Sequence, residues 1–339
     1  MIALWFALLA FTLIVFVVLD GWNIGAGVLH LFLARTEEER RRVVAALGPL
    51  WSWHEVWLIA AGGVFLLAFP RAMAASFAGF YLALWLVLWA FILRGIALEL
   101  GGHLDDPLWG AAWHTVFAGS SVLLALLFGV ALGNVVRGVP IGASGRFSME
   151  LFTTFDVCGD VGILDWYTLS VGLFAAVLLA AHGAVYLRLR TSGVLNQRAA
   201  TAARWTWTAV ALLFPVVTFE TWLVRPELFD GMAARPLAWA ALVGIAGGVF
   251  ALSSGLRGVA EGRALVGSSA IVAGLLASVA AGIFPDMLHS TVAPGYSLTA
   301  SAGATTPHGL AVALFWWPVA AALAFTYAAV VARRSHGKV

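Results

Sequence analysis

One cysteine, Cys158, occurs in 339 residues. It can build neither an internal disulfide nor a thiolate metal cluster. Charge is nearly as scarce: Asp, Glu, Lys and Arg make up 11% of the chain against 62% hydrophobic residues, and mean hydropathy is +0.95. A soluble domain carries about 25% charged residues, so that class is excluded. The net charge is only +2, and the basic residues fall in short loops rather than on one face, which argues against nucleic acid as a partner. The N-terminus has no basic n-region and no small-residue cleavage site, and reads as a retained span rather than a removed signal peptide. The sequence shows neither an internal repeat nor a low-complexity tract.

Long apolar runs are what the chain has in abundance. A helix needs about 20 such residues to cross a bilayer, and nine stretches qualify: 2–34, 51–69, 73–98, 109–135, 161–187, 203–223, 237–254, 264–284 and 310–331. The pattern predicts an all-α integral membrane protein, one polytopic membrane domain over 1–339, grouped as two four-helix bundles plus a C-terminal helix. The first run is too long for a core about 30 Å thick, so it must tilt, bend or project. Gly21, Gly25 and Gly27 supply either a bend or a close-packing face there. With the loop after the first span placed inside, thirteen basic residues face inward and five outward. The positive-inside bias then puts the N-terminus outside and the C-terminus in the cytoplasm.

Within or at the ends of these runs sit seven groups that lipid rejects: Asp20, Asn23, His54, Glu55, Arg94, Glu99 and His182. A charge at mid-membrane costs about 2.5–3.5 kcal/mol on insertion scales, so such groups face a protein interior, a partner or a wet path. On the topology above all seven fall toward the cytoplasmic side. Asp20 and Asn23 are i and i+3 on one helix face. Read by depth, His30 and Glu55 are shallow and Asp20 is deep, an arrangement suited to a short proton ladder. Each group also has a plainer role. Asp20 and Asn23 can bond across helices, Glu55 can sit at a helix start, and Arg94 and Glu99 can neutralise each other or bond to neighbours. His30, His114 and His182 read as buried hydrogen-bonding histidines, and Glu220 as solvated. Axial ligation of a haem by His54 and His182 stays open, because both lie on one side of the bilayer.

The residues then resemble a known family, subunit II of the cytochrome bd quinol oxidases. Asp20-Gly21-Trp22-Asn23-Ile24-Gly25-Ala26-Gly27 is similar to its first-span motif. Gly48-Pro49-Leu50-Trp51, with Glu55-Val56-Trp57-Leu58 and Ala61-Gly62-Gly63, matches the second. Phe77, Gly79-Phe80-Tyr81 and Arg94-Gly95 match the third, and Gly133-Asn134, Gly138-Val139-Pro140, His182-Gly183-Ala184, Tyr186-Leu187, Arg190-Thr191, Phe284-Pro285 and Ser297-Leu298-Thr299 follow in order.

The resemblance implies a haem-free subunit of a complex in a bacterial or archaeal cytoplasmic membrane. That complex oxidises quinol, reduces dioxygen to water and takes protons from the cytoplasm. Haem b and haem d would belong to a partner, subunit I. This chain would bind no haem, with a quinone as a possible structural lipid and small single-span chains as possible accessories. Two departures stand out: Asn23 replaces an Asp, and Ser52-Trp53-His54 stands where the family reads Asp-Gly-Asn. Asp20, Asn23, His54 and Glu55 are the expected proton-path residues, with Ser52, Arg94, Glu99 and His182 as further polar motif positions. A stand-alone secondary transporter and a purely structural subunit are the competing readings.

Overall fold

The computed structural model describes residues 1–48, 51–154, 159–258, 260–334 and 337–339. Pro49 and Leu50 of the second-span motif, and Cys158, lie outside the described residues. The helices run α1 (Ile2–Leu33), α2 (Glu37–Leu47), α3 (Trp51–Ala68), α4 (Pro70–Gly79), α5 (Tyr81–Leu100), α6 (Pro107–Arg137), α7 (Trp166–Arg190), α8 (Gly193–Val224), α9 (Glu227–Ala233), α10 (Pro236–Arg257), α11 (Glu261–Ile283), α12 (Ala300–Gly303) and α13 (Pro307–Arg334). A small antiparallel ribbon, β1 (Asp286–Leu288) with β2 (Leu298–Thr299), interrupts the otherwise helical chain between α11 and α12. Among the described residues, eight helices are long and apolar enough to cross a membrane, and the α2–α3 pair makes a ninth if counted as one span.

Side chains at the helix starts explain several boundaries. Thr36 and Glu39 form a reciprocal capping box at α2, and Asp165 with Thr168 forms one at α7, each satisfying backbone N–H groups that have no helical partner. Asp106 caps α6 ahead of Pro107, whose missing N–H costs nothing at that position.

Three span boundaries differ from the sequence reading. The run 73–98 is not one helix: it breaks at Phe80, between α4 and α5. The ring of Phe147, from the loop after α6, packs where Gly79 has no side chain and lies 5.2 Å from the Phe80 ring, which holds the break open. The helix expected to start at 161 starts at Trp166, because Asp165 caps it. The one expected at 203 starts ten residues earlier, since polar side chains such as Asn196 and Gln197 extend the helix without making it apolar.

α1 is continuous over 32 residues, so its glycines do not break it. They let backbones touch instead. A Cβ on Gly25 would lie 1.8 Å from the Leu179 carbonyl oxygen on α7, and one on Gly183 would lie 2.3 Å from the Ala26 nitrogen. α7 is the most enclosed helix, with 67% of its apolar window buried, against 11% for α13. The core therefore centres on α1 and α7, with α3 and α6 packed around α1.

A buried ion-paired cluster on three helices

The first-span motif puts Asp20 and Asn23 on the face of α1 that meets α3 and α5. Asp20, Asn23, His54 and Arg94 are all fully buried. Arg94, from α5, grips Asp20 with both terminal nitrogens: Nη2 donates to Oδ1 at 2.7 Å and Nη1 to Oδ2 at 2.9 Å. The same Nη1 lies 3.3 Å from Oε1 of Glu55 on α3. A guanidinium fork suits this work because it stays charged and matches a carboxylate edge to edge.

Asn23 fixes the next link. Its Nδ2 donates to Asp20 Oδ1 at 2.9 Å and meets His54 Nδ1 at 2.7 Å. The carboxylate requires the amide nitrogen to face it, and that nitrogen has two protons. Asn23 therefore donates to both, His54 Nδ1 is an acceptor, and the neutral imidazole carries its proton on Nε2. That Nε2 is buried with no hydrogen-bond partner, as are Asn23 Oδ1 and Arg94 Nε. Two indoles enclose His54, Trp22 edge-on with centroids 5.5 Å apart and Trp53 at 4.4 Å. Glu55 is the one member that reaches the exterior, with its side chain 25% exposed.

Other expected residues fall outside the cluster. Glu99 is exposed and does not pair with Arg94, which corrects the expected neutralisation. Five residues turn a helix by about 500°, so the two side chains leave α5 on different faces. Ser52 is exposed at the start of α3. His182 lies fully buried one layer away, with Nε2 3.0 Å from the Val18 carbonyl and Nδ1 2.8 Å from the Ser268 hydroxyl, tying α7 to α1 and α11. Both its ring nitrogens are thereby engaged, and the Trp22 indole packs against both His182 and His54, so these two imidazoles do not form an axial haem pair. His30 is not a rung of the same ladder: it pairs with His114. Glu220 is half-buried rather than solvated, with Oε1 3.3 Å from the Ser170 hydroxyl. Among the described residues no group of three His, Cys, Asp or Glu is placed to hold a metal ion.

A second polar knot escaped the sequence reading. Asn134 and Arg137, i and i+3 at the end of α6, hold the loop before α7. Asn134 Nδ2 donates to the Ile163 carbonyl at 2.9 Å, Arg137 Nη2 donates to the Gly162 carbonyl at 2.9 Å, and Arg137 contacts Asp165. The Gly133-Asn134 motif was visible, but its partners are loop carbonyls that no sequence pattern marks.

The fold and cluster together define a multi-pass helical membrane protein with a buried ion-paired group where α1, α3 and α5 come together. Membership follows from comparison: the chain belongs to the cytochrome bd terminal oxidase subunit II family, whose model matches residues 1–334. It is similar to the cytochrome bd-I ubiquinol oxidase subunit 2 of Escherichia coli, with 34% identity over 218 residues, 64% of this chain and 54% of that protein. It is also similar to the cytochrome bd ubiquinol oxidase subunit 2 of Bacillus subtilis, with 32% identity over 196 residues, 58% of this chain and 55% of that one. The matched region thus spans about half the length of these relatives. In fold it resembles a chain of the bd oxidase from Geobacillus thermodenitrificans, with a TM-score of 0.73 at 17% identity, covering 98% of this chain and 97% of that one.

Proposed function

We propose that this chain is the haem-free subunit of a cytochrome bd-type complex that oxidises quinol and reduces dioxygen to water. In that complex it supports assembly and provides proton access from the cytoplasmic side. Haem b and haem d belong to the partner, subunit I; a quinone can serve as a structural lipid, and small single-span chains as accessories. The chain lies in the bacterial cytoplasmic membrane as one polytopic domain, N-terminus outside. Two four-helix bundles, with α13 as the additional helix, meet through the contacts of α7 with α1 and α6.

The observation that carries the reading is the Asp20–Arg94–Glu55 triad with Asn23 and His54 attached. Arg94 and Asp20 cancel as a fixed pair. Glu55 is the carboxylate left over, and it sits at the rim, so it takes up and releases the proton. Asn23 positions His54, whose partnerless Nε2 is the inner end of the line. An imidazole can carry a proton where the family's carboxylate is replaced.

The test uses the assembled complex in proteoliposomes. Glu55→Gln and His54→Phe should each slow quinol-driven oxygen reduction and proton uptake by about twofold or more while the complex still assembles. Unchanged uptake in both variants would remove the proposal.

A further inference from the structure

Beside the Asp20 cluster runs a second polar line that it does not use. On α1, His30 is fully buried and its Nε2 lies 2.9 Å from Nδ1 of His114 on α6. His114 Nε2 lies 3.1 Å from Oε1 of Glu37, the first residue of α2. Exposure climbs along the row, from 0% at His30 to 7% at His114 to 45% for the Glu37 side chain.

The carboxylate sets the polarity of this line. An ionised Glu37 only accepts, so His114 Nε2 carries a proton and its Nδ1 is a lone pair. His30 must then donate from Nε2, which leaves His30 Nδ1 as a bare acceptor at the buried end. That nitrogen has no partner. A pair of histidines serving only as interhelical glue needs neither an aqueous carboxylate at one end nor an open lone pair at the other. His30 also follows Asn23 by seven residues, which places it on the same face of α1, about 10 Å along the axis. Between them lies Gly27, and the Ser121 hydroxyl occupies the space its side chain would take, with Oγ 2.0 Å from where a Cβ would be.

We propose that Glu37, His114 and His30 form a second proton inlet, separate from Glu55, leading along the α1–α6 contact toward the Asp20 cluster. It rests on the reading of that cluster as the destination. In one inward transfer the proton leaves Glu37 Oε1 for His114 Nε2. The Nδ1 proton of His114 passes to His30 Nε2, and the Nδ1 proton of His30 passes to a water molecule on the side of the Asp20 cluster, which becomes hydronium and hands the proton on toward Glu55. Each imidazole gains one N–H bond and loses one, Glu37 ends ionised, and the line is left in the outward-donating arrangement; tautomer exchange resets it. The charged groups around the mouth are Arg40, 3.7 Å from Glu37, Arg41, 3.4 Å from both Glu37 and Asp105, and Asp105 itself.

The experiment measures proton uptake and its pH profile in the assembled complex in proteoliposomes for Glu37→Gln, His114→Gln and Glu55→Gln. Glu37→Gln and His114→Gln should each slow uptake by about twofold, most at alkaline pH where free protons are scarce, and Glu37→Asp should restore it. Should His114→Gln fail to assemble, the exposed Glu37 pair decides alone. Slowed uptake in the Glu55 variant with wild-type uptake in the Glu37 variant overturns this inlet and leaves the Asp20 cluster standing. The reverse supports the inlet and overturns Glu55 as the proton donor. Wild-type uptake in every variant overturns both.

Discussion

Around α1, α3 and α5 the helices meet through charge: a guanidinium, two carboxylates, an amide and an imidazole sit between them. α10 and α11 meet through bare backbone. A Cβ on Gly267 would lie 2.3 Å from the Leu252 nitrogen, and one on Gly255 would lie 2.5 Å from the Ala264 nitrogen. The buried residues of α10 are Ala238, Ala241, Gly248, Leu252 and Gly255, with no polar side chain among them. Small residues and close backbones are the ordinary means of joining helices in lipid. The α10–α11 pair shows that this chain has that means at its disposal. The charges on α1, α3 and α5 are a different way of joining helices within the same chain.

The largest expected effect is at Arg94. Arg94→Leu strands the fully buried Asp20 without its partner and should cost about 3–5 kcal/mol, read as a lowered unfolding midpoint in detergent. A loss under about 1 kcal/mol would mean that water reaches Asp20 and that the contrast with α10–α11 is false. Next come the close backbone contacts, which occur in both regions. Gly183→Ala and Gly267→Ala should each cost about 1–3 kcal/mol by overpacking, and a large difference between them would show that one of the two contacts can open.

Tyr186→Phe removes the 2.8 Å bond from its hydroxyl to the Ala46 carbonyl, while the ring can stay stacked on Trp22, and should cost about 1 kcal/mol. The smallest effect is at Glu39, on the charged helix outside the apolar spans. The Arg35 backbone N–H, against an opposing effect of burial and with help from the Arg198 guanidinium and Thr36 N–H, holds its carboxyl below the usual range. Its contribution is therefore present above the ordinary glutamate value and is lost as pH falls through the lowered one. Glu39→Gln should lower stability slightly at neutral pH and flatten the acid limb of the stability–pH curve, so that variant and wild type converge at acid pH.

The sequence made the cluster's members legible for a simple reason. A charge in an apolar run is costly, so Asp20, Glu55 and Arg94 announce themselves. Their pairing was not legible, because Asp20 and Arg94 lie 74 residues apart and only the tertiary fold brings their side chains together. Glu99 misled for a related reason: nearness along the chain suggested a partner that helix rotation takes away. The break at Phe80 depends on a ring delivered from the loop after α6, which no local pattern foretells. His30 belonged to a line whose other members, His114 and Glu37, come from a different span and a surface helix.

The backbone contact at Gly25 and Gly183 has one further consequence. Two main chains that touch have no side chain between them to take up an error of register. One extra residue inserted between Asp20 and Gly25 would turn the carboxylate by about 100° around the helix while its anchor on α7 stayed put. The five-residue interval from Asp20 to Gly25 is thus as fixed a dimension of this protein as any bond to Arg94, and the acid at one end is aimed by the missing side chain at the other.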